Sequence, residues 1–166
     1  LYAAGVPDKE AMTKSPHVGI ASVWWEGNPC NMHLMDLAKT VKKSVVGQGM
    51  LGWQYNTIGV SDAITMGSEG WFGSQLSPLA DEIATLARNE ILSSDPEVIA
   101  DSIETVTCAQ YHDACIAIPG CDKNMPGVVM GMARHNRPSI MIYGGTIGIG
   151  YSEHLRKPIN VSTCFE

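Results

Sequence analysis

Four short apolar runs, each closed by a turn and set apart by stretches of helical period, limit the folds open to this chain more than any other feature. The runs are His17 to Trp25, Trp53 to Val60, Ala114 to Ile118 and Ser139 to Tyr143, and each reads as a strand. Between the first two, Leu34, Leu37, Val41 and Val45 repeat at helical spacing, predicting a helix from about Met32 to Val46 that stops at Gly47. A second helix is expected from Val98 to Tyr111, with Pro96 and Glu97 near its start. A third opens with Pro126 at its first position and runs to about His135. Strands that are apolar nearly throughout, alternating with helices, belong in a largely parallel sheet covered on both faces. The expected fold is therefore α/β, a three-layer α/β/α arrangement, and 166 residues suffice for one domain with a sizeable core.

Chemistry gathers where the strands end. Cys30 closes the segment HVGIASVWWEGNPC, Asp62 closes WQYNTIGVSD, and Cys121-Asp122-Lys123 closes ACIAIPGCDK. In open α/β sheets, ligands bind just beyond the carboxyl ends of parallel strands. Cys30 and Cys121 each stand in a turn ahead of a predicted helix, where the positive helix end favours the thiolate that metals require. Too few histidines or further cysteines lie nearby to complete a zinc site, which leaves an iron–sulfur cluster with additional ligands from elsewhere as the natural candidate. Asp62 and Asp122 offer hard oxygens suited to Mg²⁺, though a loop aspartate serves equally as a helix cap or turn former. Lys123 reads as an ion-pair partner of these acids or, if carbamylated by CO₂, as an oxygen ligand, and spacing does not choose between the two.

Several function classes are disfavoured. A net charge of −6 and the lack of a basic patch argue against nucleic-acid binding. Arg134, His135 and Arg137 read as the last turn of a helix meeting its own dipole. No apolar run approaches the roughly 20 residues of a membrane span. Five cysteines without a CxxC pair fit neither a disulfide scaffold nor a zinc ribbon; Cys108 and Cys115 read as small buried hydrophobes. The glycine loop after the fourth strand places Glu153 where a dinucleotide fingerprint needs its last glycine, and no P-loop lysine follows. The chain begins at Leu1 without a recognisable targeting segment, as a fragment would.

Three ordered motifs carry a resemblance: GNPCNMHL from Gly27, NTIGVSDAITMG from Asn56 and IPGCDKNMPG from Ile118. Together they resemble the dihydroxy-acid and 6-phosphogluconate dehydratase family, most closely its fungal mitochondrial members. The resemblance implies a hydro-lyase that converts 2,3-dihydroxy-3-methylbutanoate and its methylpentanoate homologue to 2-oxo acids leading to valine and isoleucine. It implies Cys30 and Cys121 as cluster ligands, with [2Fe–2S] preferred over [4Fe–4S]. Asp62, Asp122 and carbamylated Lys123 would hold Mg²⁺. A homodimer in the mitochondrial matrix is likewise implied, with no nucleic-acid or membrane partner. The alternatives are a sugar-acid dehydratase of the same family or a folded remnant without activity. In the family a third cluster cysteine, a Mg²⁺-binding glutamate and a serine base come later than Glu166, so the chain is expected to be an N-terminal fragment, inactive by itself. The stretch Trp71 to Glu97 departs from the family as an insertion or mis-spliced segment, and would form an amphipathic helix with Ser77 capping, Pro78 first, and Leu79, Ile83 and Leu86 on one face.

Overall fold

Four strands, β1 (His17–Ser22), β2 (Leu51–Asn56), β3 (Ala114–Ile118) and β4 (Ser139–Met141), form a sheet of order β2-β1-β3-β4 in the computed structural model, which describes residues 1–61, 96–121, 124–160 and 163. All three pairings are parallel. β1 lies inside the sheet and is buried from Val18 to Ser22, which is why its sequence shows no alternation. Gly150–Ser152 (β5) and Lys157–Ile159 (β6) make a separate antiparallel pair.

The helices are α1 (Lys9–Lys14), α2 (Leu34–Gly47), α3 (96–109) and α4 (Asn124–His135). Strand alternation assigns their sides. Gly52 faces α2, since a Cβ added there would lie 3.3 Å from both Ile20 Cδ1 and Lys42 Cγ, and Gln54 on the same face donates to Met35 Sδ at 3.0 Å. Residues one step along the strands face α3: the Tyr55 hydroxyl meets Thr107 Oγ1 at 3.3 Å. Helix α4 lies against α3, where Arg134 donates to Asp101 at 2.5 Å and to Glu97 at 2.6 Å. Ile20, Leu34, Ile99, Ile103, Ile118 and Val128 are fully buried in one continuous core. Each such side chain contributes about 1.5–3 kcal/mol through burial.

The chain passes from β1 outward to β2, then returns to the other side of β1 to form β3. The direction of winding thus reverses between β1 and β3, and a crevice opens at their carboxyl ends.

Several boundaries differ from the sequence reading, each for a local reason. β1 ends at Ser22, not Trp25, because the Trp24 indole turns away to donate to the Met32 carbonyl at 3.1 Å. β2 runs from Leu51 to Asn56, not from Trp53 to Val60; the Ser22 hydroxyl donates to Asn56 Oδ1 at 2.5 Å, and the paired strands end there together. β4 stops at Met141. Pro126 is the third residue of α4, still within the first turn, where no intrahelical N–H is lost. Leu37 is exposed and Ala38 takes the core position on α2. Cys108 is exposed, contrary to expectation, because the neighbouring Thr107 takes the inward side of α3. Arg137 does not serve its own helix: it donates to the Thr107 and His112 carbonyls, satisfying groups at the end of α3. Apart from Pro96 and Glu97, which belong to α3, the atypical segment lies outside the described residues. No helix among the described residues is long and apolar enough to cross a membrane.

Candidate functional site

Two buried asparagines of the β1 loop order the edge where the loops leaving β1, β2 and β3 meet. Asn28 Nδ2 donates to the Gly59 and Val60 carbonyls at 3.1 and 3.2 Å, joining the β1 loop to the β2 loop. Its Oδ1 accepts from the Cys30 N–H at 3.0 Å, closing a tight turn around the cysteine. Asn31 Nδ2 donates to the Val23 carbonyl at 2.9 Å, and the side chain fills the space between Gly59 and Gly120. A Cβ at Gly120 would stand 2.5 Å from Asn31 Oδ1 and 2.9 Å from the Cys30 carbonyl, so only glycine permits the β3 turn to approach this closely. Asn31 Oδ1 is buried with no hydrogen-bond partner among the described residues. A buried acceptor left in this way costs about 1–3 kcal/mol, which marks the convergence as a place where packing stability has been given up.

Cys30 and Cys121 stand on the two touching turns. Cys30 is buried, 8% exposed, one helical turn ahead of α2. Cys121 is half-buried and adopts φ 65°, a left-handed conformation that a residue with a Cβ seldom takes outside constrained sites. Behind it Asn124, buried at the start of α4, donates to the Gly120 carbonyl at 2.6 Å and fixes the turn. The loop after β4 closes the group: the Gly144 N–H donates to the Pro119 carbonyl at 2.7 Å and the Cys121 N–H to the Gly145 carbonyl at 3.4 Å. His33 Nε2 donates to the Gly144 carbonyl at 2.5 Å, so its proton is on Nε2. Thr146 Oγ1 lies 4.0 Å from Cys30 Sγ.

Asp62, Asp122 and Lys123 lie outside the described residues. Their sequence neighbours Ser61 and Asn124 are buried. Among the described residues no group of three or more His, Cys, Asp or Glu side chains is placed to hold a metal ion. Among the described residues, the candidate ligands on these two turns are the thiols of Cys30 and Cys121. Soft sulfur ligands suit iron–sulfur clusters, copper(I) or zinc and do not suit Mg²⁺ or Ca²⁺. A largely apolar cavity of about 620 Å³ borders the β2 loop and is lined by Trp24, Trp25, Ile58, Val60 and Val98.

A second polar group sits deeper in the sheet. Cys115, Tyr55 and Thr107 interact where β3 faces α3, and burial pushes the Cys115 thiol and the Tyr55 hydroxyl upward from their ordinary values. His112 is held below the usual imidazole range, first by burial and then by the nearby charges of His17 and Arg137. These groups are kept neutral, a structural condition.

Sequence reasoning missed Asn28, Asn31, His33, Asn124 and Thr146. Polar residues in a glycine- and proline-containing turn read as solvated, and nothing local distinguishes a buried asparagine there. The one available signal was the dense run Asn28-Pro29-Cys30-Asn31, with two side chains able to bond backbone on either side of the cysteine.

Comparison with known proteins bears on the same residues. The N-terminal domain model of the dihydroxy-acid/6-phosphogluconate dehydratases matches residues 15–166. The chain is 48% identical over 167 residues to a protein of Schizosaccharomyces pombe named mitochondrial dihydroxy-acid dehydratase. It is also 48% identical over 170 residues to the Saccharomyces cerevisiae protein of that name. Both alignments cover 100% of this chain but only 25% and 26% of the relatives. The chloroplastic dihydroxy-acid dehydratase of Arabidopsis thaliana is 49% identical over 151 residues, 91% of this chain and 22% of that protein. The chain therefore spans about a quarter of the length of the curated relatives it matches.

Proposed function

Because the chain belongs to the dihydroxy-acid/6-phosphogluconate dehydratase family, we propose that it forms the cluster-holding part of a dihydroxy-acid dehydratase. The reaction is a hydro-lyase elimination on 2,3-dihydroxy-3-methylbutanoate and 2,3-dihydroxy-3-methylpentanoate. The C2 hydrogen leaves as a proton, the C3–O bond breaks to release water, and the resulting enol tautomerises to the 2-oxo acid. The observation that carries this reading is the close approach of Gly120, which precedes Cys121, to the Cys30 turn at the switch point between β1 and β3.

In this reading Cys30 and Cys121 are thiolate ligands of an iron–sulfur cluster, of the [2Fe–2S] type. Asp62, Asp122 and carbamylated Lys123 hold Mg²⁺. When bound, these groups would supply Lewis acidity that polarises the substrate's oxygens and eases departure of the 3-hydroxyl. The chain's own residues set the frame. Asn28 holds the Cys30 turn against the β2 loop that leads into Asp62, Asn31 ties that turn to Val23 after β1, and Asn124 holds the Gly120 carbonyl ahead of Cys121. Gly120 lets the two turns touch. The cavity beside Trp24 and Ile58 has the volume and the largely apolar lining to take a branched alkyl group. Homodimerisation in the mitochondrial matrix completes the proposal; the two yeast relatives are mitochondrial by name, and the plant relative is chloroplastic.

The test is turnover. Protein expressed from its full reading frame is reconstituted anaerobically with iron, sulfide and Mg²⁺, given 2,3-dihydroxy-3-methylbutanoate, and assayed for the 2-oxo acid as its hydrazone. Formation of the 2-oxo acid is expected. A loaded protein that dehydrates sugar acids and leaves the branched-chain acid untouched would assign it to the other branch of the family.

A further inference from the structure

Thr146 reaches Cys30 because the loop that carries it is strapped to both cysteine turns. The Gly144 carbonyl accepts from His33 Nε2 at 2.5 Å, on the α2 side of the crevice. The Gly144 N–H donates to the Pro119 carbonyl and the Gly145 carbonyl accepts from the Cys121 N–H, on the β3 side. Gly145 then takes φ +99°, a left-handed step that only glycine makes without strain, and Thr146 follows with its hydroxyl 4.0 Å from Cys30 Sγ. Cys30 is 8% exposed, so a negative charge on its sulfur would receive little help from water.

With a neutral thiol, either atom of this pair can donate, and 4.0 Å is the outer edge of contact for such a weak bond. A thiolate can only accept, which leaves the Thr146 hydroxyl as the donor. A metal-bound cysteine sulfur is a charged acceptor, and hydrogen bonds to such acceptors are shorter and stronger than neutral ones. Donors around cluster sulfurs withdraw electron density and raise the reduction potential of the iron they serve.

We propose, on the assignment of Cys30 as a cluster ligand, that Thr146 is a positioning residue whose hydroxyl donates to the metal-bound Cys30 sulfur and tunes its donation to iron. His33 braces the loop that makes the contact. Thr146→Val keeps the shape and removes only the donor, whereas Thr146→Ser keeps the donor and removes a methyl group.

Both variants are made in protein expressed from the full reading frame and reconstituted with iron and sulfide under anaerobic conditions. The midpoint potential is read by mediated titration and the sulfur-to-iron charge-transfer bands by visible absorption and circular dichroism. Thr146→Val is expected to show a lower potential and shifted bands at wild-type iron content, and Thr146→Ser to resemble wild type. Unchanged potential and bands in Thr146→Val overturn the inference while leaving Cys30 as a ligand. Loss of iron from both variants overturns it as well, since the whole side chain is then needed to assemble the site and does not merely tune the sulfur. A wild-type protein that takes up no cluster overturns the Cys30 assignment itself.

Discussion

Cys115 and Cys30 are both buried thiols, one within β3 and one just beyond the end of its neighbour β1, yet their surroundings differ in kind. Cys115 lies mid-strand against α3, with Thr107 and Tyr55 as polar neighbours and burial raising its pKa. Burial there outweighs the opposing hydrogen bonds from Thr107 and Tyr55 and keeps the sulfur neutral. Cys30 lies past the strand's end, in a turn wound around Asn28, facing a hydroxyl and the turn of a second cysteine. The interior of the sheet uses cysteine as a small apolar filler, whereas its carboxyl edge spends hydrogen bonds and glycines to hold cysteine in a chosen place. Position along the strand, and not residue type, separates the two.

The largest effect should come from the side chain on which both regions depend. Leu34 is fully buried at the start of α2 and underlies the loops at Gly120 and Gly144. Leu34→Ala should lower stability by about 2–5 kcal/mol in urea denaturation. It should also weaken cluster uptake; full uptake in the destabilised variant would show the edge to be independent of the core. Gly120→Ala should cost about 1–3 kcal/mol, since its Cβ meets Asn31 Oδ1 and the Cys30 carbonyl, and should reduce iron content more than its stability loss explains. Equal iron content at equal protein would mean the turns need not touch. Cys115→Ser should cost about 1–2 kcal/mol and leave iron content unchanged, because only the interior is disturbed.

The smallest effect concerns pH. His112 and His135 are both held below the usual imidazole value, chiefly by burial, with Arg137 adding to each. As pH falls below about 6.5 the unfolded chain takes up protons first, so folding stability declines until the folded imidazoles also titrate. Above pH 7 both states are neutral at these positions and the slope from them vanishes. Denaturation midpoints between pH 8 and pH 5 should be level at first and then fall. A midpoint that stays level to pH 5 would place these histidines in contact with water.

Much of this contrast was legible in the sequence, and the remainder was hidden for identifiable reasons. β3 occupies Ala114–Ile118 as read, because turn residues bound its apolar run on both sides. The runs at Trp25 and Val60 overstated their strands, since aromatic and β-branched residues also suit a crevice wall, which periodicity cannot distinguish from a strand. The location of Cys30 and Cys121 at neighbouring strand ends followed from the strand-end rule, but the approach of their turns depends on β3 pairing with β1, a choice made by the whole sheet. Asn28 and Thr146 escaped notice because their roles come from residues 31 to 116 positions away, in other loops. Asp62, Asp122 and Lys123 were named from motif alone, and lie outside the described residues.

The most direct test of the division between edge and interior is to replace each cysteine with serine and read the visible iron–sulfur absorbance after anaerobic reconstitution. Cys30→Ser and Cys121→Ser should each abolish the spectrum, while Cys115→Ser and Cys108→Ser should retain it. A normal spectrum in Cys30→Ser or Cys121→Ser, or its loss in Cys115→Ser with the fold intact, would contradict the account.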